Sequence, residues 1–171
     1  SSLWMKFKAI YPMLGGTASS AQWNLMNPQN TDQAFRLTFN GSPVFSTSGI
    51  LFPTPSDFAN THLFDNMIAY NDNAISYYSL NQNSISCYYM GCIDLVSPYN
   101  EFAIYCQNDA TVWFGYNVFG ATPSNTKGLF ILSSFQNDVK RYDNSIVTTS
   151  LGSAPVQGYT NIPILIGSSA G

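Results

Sequence analysis

Residues 34–46 read AFRLTFNGSPVFS. Phe35, Leu37 and Phe39 alternate with Arg36 and Thr38, a period of two that places the apolar side chains on one face of an extended strand. Asn40-Gly41 follows, a pair that tolerates positive φ and predicts a tight hairpin, with Pro43 to Phe45 as the returning strand. Short apolar runs of this kind recur downstream at 49–52, 74–80, 85–90, 102–106, 111–119, 128–134, 139–142, 145–151 and 162–166, each bounded by Asn, Asp, Gly, Pro or Ser. Asn137-Asp138 and Asp143-Asn144 flank 139–142 as turns, the second a two-residue hairpin loop. About ten short strands with no helix between them leave no room for parallel crossovers and predict two packed antiparallel sheets. No fixed period repeats, which excludes a propeller or solenoid.

Upstream of residue 31 the pattern differs. Leu3, Trp4, Phe7, Ile10 and Tyr11 recur at helical spacing, with Lys6 and Lys8 off the stripe and Pro12 ending it. The expectation is a short amphipathic helix plugging one end of the core. A connecting segment then runs from Gly15-Gly16 to Asn30, anchored by Trp23 and Leu25. The chain thus divides into an N-terminal helix and connector, 1–30, and a β-sandwich, 31–171.

The 171 residues suit one domain, and their composition narrows its partners: 45% are hydrophobic and 15% aromatic, but only 9% are charged. Neutral Ser, Asn, Thr and Gln must keep such a surface wet. The six cations, Lys6, Lys8, Arg36, Lys127, Lys140 and Arg141, form no stripe. Nucleic acid and anionic membrane surfaces are therefore not expected as partners. No apolar run reaches the roughly 18 residues of a membrane-spanning helix. Cys87, Cys92 and Cys106 lack metal-ligand spacing, so buried free thiols are expected, with a Cys87–Cys92 bridge as the alternative.

Catalytic material is scant. Glu101 is the only Glu, most of the eight Asp fall in turns, and Asp94, between Ile93 and Leu95, is the acid in an apolar context. No strand carries acids at i and i+2, the spacing that would aim both at one cleft. His62 is the only imidazole and no nucleophile elbow accompanies it, which predicts a structural histidine. Asp72, between Asn71 and Asn73, reads as a turn in preference to a calcium ligand. No catalytic residue, metal or cofactor is expected.

The aromatics are the remaining signal. Trp113 shares a strand face with Thr111 and Gly115, opposite Val112, Phe114 and Tyr116; Tyr105, Tyr88 and Tyr77 likewise lie across from apolar neighbours. Apolar residues on both faces mean a second core layer or a subunit contact, or else a glycan platform. In the latter, rings stack on sugar C–H surfaces while Asn108, Asn117 and Gln107 bond hydroxyls.

The stretches LWMKFKAIYPMLGGTASSAQWNL (3–25), AFRLTFNGSPVFS (34–46), AISYYS (74–79), GLFILSS (128–134), KRYDNSIV (140–147) and IPILIGSSAG (162–171) resemble successive parts of the laminin-G-like, concanavalin A-like domains of tailed-phage structural proteins. The resemblance implies an all-β jelly-roll sandwich of two antiparallel sheets with a short N-terminal helix. In that family a segment follows the strand near Ile166, so the expected sandwich is C-terminally incomplete. The implied function is a non-enzymatic virion component of fibre, collar or decoration type, used for surface display or host adsorption; the aromatic reading adds Trp113, Tyr105, Tyr88, Tyr77, Asn108 and Asn117 as its expected glycan or subunit contacts, with weak carbohydrate binding. Its implied partners are other virion subunits, homo-oligomeric copies and host surface glycan. The alternatives are an assembly module without ligand, and a glycan hydrolase using Glu101 or Asp94.

Overall fold

The computed structural model describes residues 3–69, 72–80, 87–94, 100–107, 111–115, 120–122, 127–136, 138–143, 146–148 and 161–167. The described strands are β1 (Thr38–Asn40), β2 (Val44–Ser46), β3 (Gly49–Leu51), β4 (Phe58–Phe64), β5 (Asp72–Ser79), β6 (Cys87–Asp94), β7 (Asn100–Gln107), β8 (Thr111–Gly115), β9 (Gly120–Thr122), β10 (Gly128–Phe135), β11 (Asp138–Asp143), β12 (Ile146–Thr148) and β13 (Pro163–Ile166). They form a large sheet in the order β1-β4-β13-β6-β7-β8-β9, a small sheet β12-β11-β10-β5, and a β2-β3 ribbon. Every described pair is antiparallel. The expected all-β architecture of antiparallel sheets is what the chain adopts.

Alternation makes the core. In β10, Gly128, Phe130, Leu132 and Ser134 are buried while Leu129 and Phe135 are exposed. Phe130 and Leu132, with Ile75 of β5 and Val139 of β11, pack against Leu63, Tyr89, Cys92, Phe102, Ile104 and Ile164 of the large sheet. Each such side chain contributes about 1.5–3 kcal/mol relative to exposure, which is why this shared layer joins the sheets. A second cluster, Leu37, Ala59 and Ile166 with Tyr11 and Phe52, closes the β1 side.

β4 was hidden in the sequence because Asn60, Thr61 and His62 dilute its apolar run. The burial pattern alternates regardless, with Ala59, Thr61 and Leu63 inward. The Thr61 hydroxyl makes its position tolerable by donating to the Ile164 carbonyl at 2.7 Å and accepting from Leu63 N–H at 3.1 Å. Pro163 faces Phe64 and Leu165 faces Asn60, so β4 bulges between these pairs. His62 sits on the bulge at φ 54°, held by an N–H bond to Asn60 Oδ1.

Several expectations are corrected. Asn40-Gly41 does not join a hairpin: β1 pairs with β4 and β2 with β3. Phe35, at φ 58°, ends a 3-10 turn (Asp32–Ala34), so the strand begins only at Thr38. Gly41 does use its positive φ, 76°, because a Cβ there would strike Asp57 Oδ1, which accepts the Ser42 N–H. Of the expected turn pairs around β11, Asp138 and Asp143 are strand residues facing Phe135 and Ile146, while Asn137 and Asn144 lie outside the described residues. Cys87 and Cys92 lie on the same strand, β6. Five residues of strand separate their Cα atoms by about 16 Å, against the roughly 7 Å limit of a disulfide, so that bridge is excluded.

The N-terminal helix reduces to one 3-10 turn, Leu3–Lys6, with no buried residue, and Leu3, Trp4 and Met5 exposed. A helix of nine or so residues is marginal alone, and here the backbone has better partners. Asn24, buried between the expected anchors Trp23 and Leu25, accepts the N–H groups of Ile10 and Met26 and donates to the carbonyls of Lys8 and Ala34. Residues 8–10 are thereby clipped to the connector, and the Tyr11 hydroxyl donates to Phe35 O at 2.6 Å. Elsewhere in the connector, Thr17 and Ser20 form a capping box over a four-residue helix, α1 (Ala18–Ala21). Asn24→Ala removes one buried and three part-buried hydrogen bonds and should lower stability by on the order of 3 kcal/mol, read as a lower urea midpoint with unchanged slope.

Candidate aromatic rung on the large sheet

Register places the aromatics. Tyr88 of β6 faces Tyr105 of β7, and Tyr105 faces Trp113 of β8, so three aromatic positions share one rung across three strands. Phe102 and Ile104 of β7 belong to the core; by alternation Glu101, Ala103 and Tyr105 occupy the opposite face of the sheet. The rung therefore lies on the side turned away from the small sheet. The next rung is Gly91, Ala103 and Gly115, and the one beyond it pairs Ile93 with Glu101. Gly91 is required there: its φ is 151°, and a Cβ would collide with Ala103 and the Phe102 carbonyl.

Tyr88 and Tyr105 have ring centroids 5.3 Å apart at 37°. The Tyr88 hydroxyl donates to Glu101 Oε1 at 3.4 Å. Tyr88 and Glu101 are buried and Tyr105 is half-buried. Burial pushes the Glu101 carboxyl up to about 7, and the Tyr88 hydroxyl offsets only part of that rise. Burial, reinforced by Glu101, pushes the Tyr105 phenol up to about 12 and raises Tyr88 as well. The face combines aromatic surface, phenolic hydroxyls and one acid that changes charge near neutral pH.

Of the residues expected at the site, Tyr88, Tyr105 and Trp113 come together through the register. Tyr77 does not: it lies on β5 of the small sheet and stacks on Tyr89 at 5.0 Å and 16°, inside the inter-sheet core. Asn108 and Asn117 lie outside the described residues. The sequence missed Glu101 as the buried acid because it opens a run, while Asp94 had apolar neighbours on both sides. The detectable signal was the alternation Glu101, Ala103, Tyr105. In the ladder Asp94 pairs with Asn100, one step from the Ile93–Glu101 pair.

His62 is held structurally. Its Nε2 lies 2.8 Å from Thr38 Oγ1 and 3.6 Å from Asp32 Oδ1, so both partners meet one ring nitrogen, whereas a catalytic triad uses both. Among the described residues no cluster of His, Cys, Asp or Glu could hold a metal. A cavity of about 200 Å³ lies apart from the rung, beneath Phe7 and Lys8 against Leu63, Ile75 and Met90. Comparison with family models, curated proteins and solved structures finds no match to the chain.

A carboxyl whose pKa rises on folding binds its proton more tightly in the native state, so stability falls as pH climbs from the ordinary value of 4.5 to about 7, then levels. Glu101→Gln keeps an acceptor for Tyr88 and should remove that slope. Above about pH 7 the variant should exceed the parent by on the order of 3 kcal/mol. Urea titrations across this range check it; an unchanged slope would mean another group titrates.

Proposed function

We propose that the chain is a non-enzymatic binding module of a virion structural protein, with a concanavalin A-like jelly-roll topology, that meets neutral host glycan at the Tyr88–Tyr105–Trp113 rung. The virion setting and the finer topology rest on the sequence resemblance alone. The observation that carries the binding reading is the rung itself: aromatic positions aligned across three strands, on the face away from the core, beside a rung of Gly91, Ala103 and Gly115. Tyr105 is a half-buried member of the rung, a ring edge that a sugar can meet, and phenols supply hydroxyl partners. A surface with only 9% charged residues in its sequence suits a neutral ligand.

A second reading, an assembly module without ligand, is favoured by the outer face of the small sheet. There Tyr78 is 61% and its cross-strand partner Leu129 42% exposed. Apolar surface of this kind is a subunit contact when another copy covers it.

Calorimetric titration of the full chain with neutral polysaccharides separates the readings. In the first, Tyr105→Ala and Trp113→Ala each weaken binding by about tenfold or more, consistent with roughly 1–3 kcal/mol per lost stacking ring, while the sedimentation profile stays the same. In the second, no sugar binds even when the protein is displayed multivalently, and Leu129→Lys dissolves the oligomer.

A further inference from the structure

The β6–β7 ladder pairs Cys87 with Cys106, one step beyond the Tyr88–Tyr105 pair. From this juxtaposition we propose that Cys87 and Cys106 form a cross-strand disulfide, a redox clasp on the hairpin. The clasp goes beyond the binding reading and stands whether or not the aromatic rung takes a glycan.

Backbone geometry permits the bond directly. Facing residues in an antiparallel pair have Cα atoms about 4.5 Å apart at one kind of site and about 5.5 Å at the other. Disulfides span about 4.4–6.8 Å, so either kind lies within range without moving a strand. Facing positions also share one face of the sheet by construction. No other pairing of the three cysteines has this property. Cys92 faces Phe102, four strand residues from Cys106, a separation of about 13 Å. The Cys92 thiol is buried and free, and burial, with the charges of Asp65 and Glu101, pushes it up to about 12, so it supplies no thiolate for exchange.

The chemistry is thiol–disulfide exchange with a small disulfide such as glutathione disulfide. One cysteine thiolate attacks it, forming a mixed disulfide and expelling one glutathione thiolate. The facing thiolate then attacks the protein sulfur, closes the Cys87–Cys106 bond and expels the second glutathione. The two protons lost by the cysteines end on the two glutathione thiols, and the two electrons reduce the oxidant. Cys87 opens β6, so the bond ties the strand where its ladder begins. It also fixes the spacing of the adjacent tyrosine pair.

The test uses the full chain, equilibrated with glutathione disulfide, then denatured and alkylated without reduction. Trypsin is unsuitable, because no Lys or Arg lies between Arg36 and Lys127. Cleavage before Asp72, Asp94 and Asp109 instead separates 72–93, holding Cys87 and Cys92, from 94–108, holding Cys106. The expected result is that these two peptides stay joined until reduced, with alkylated Cys92 in the joined species. Cys92→Ser should still join them, and Cys87→Ser should not. The oxidised parent should melt several degrees above its reduced form, a difference lost in Cys106→Ser. Alkylation of all three cysteines in the parent, or a linkage through Cys92, overturns the proposal.

Discussion

β13 lies between β4 and β6, so the early strands of the large sheet reach its β6–β9 half only through a strand contributed about a hundred residues after β4. Its four residues carry both sides of that connection. Ile164 enters the inter-sheet core and Ile166 enters the cluster with Leu37 and Ala59. The Thr61 hydroxyl fixes the register from the β4 side, and Asp65 does the same at the strand's start by accepting the Ile162 N–H at 3.0 Å. These are contacts of high sequence separation, whose loop-closure entropy must be met before they return anything. The β6–β9 and β10–β12 meanders close locally. The large sheet becomes continuous only when β13 is placed.

That division explains what could be read from the sequence. Runs such as 128–134 and 102–106 combine alternation with turn residues, and both are strands in the structure. Pairing is a different matter, because it depends on partners far along the chain. Asn40-Gly41 carries a local hairpin signal, yet β1 finds β4, since Leu37 is buried against Ala59 and Ile166. The same competition removes the N-terminal helix. Its apolar stripe is real, but one buried Asn24 amide offers the backbone of residues 8–10 more than a marginal helix does. A polar residue acting as a hub leaves no periodic trace, and β4, with Thr61 inward, fails the apolar test for the same reason.

The candidate site was legible in part. Two-sided apolarity in 102–106 and 111–119 signalled that both sheet faces matter, and the register gathers Tyr88, Tyr105 and Trp113 accordingly. Tyr77 carries the same local signature but lies on the other sheet, where its ring serves the core. Composition cannot tell those two fates apart; the assignment of a strand to a sheet decides them. Glu101 escaped because the acid's neighbours along the chain say little about its neighbours across the ladder.

The β6–β7 hairpin therefore holds opposing demands in one ladder. Its inner face must remain apolar to keep Phe102 and Ile104 against Phe130 and Leu132, while its outer face buries a carboxyl that resists ionisation. That acid keeps a hydrogen bond from the Tyr88 hydroxyl, and beside it Gly91 meets Ala103 where no side chain could fit. The register puts the Tyr88–Tyr105 pair on one side of this glycine rung and the Ile93–Glu101 pair on the other. A slip of this register would move the carboxyl and the aromatic rung together, so the electrostatics of the outer face and its shape are two consequences of one strand pairing.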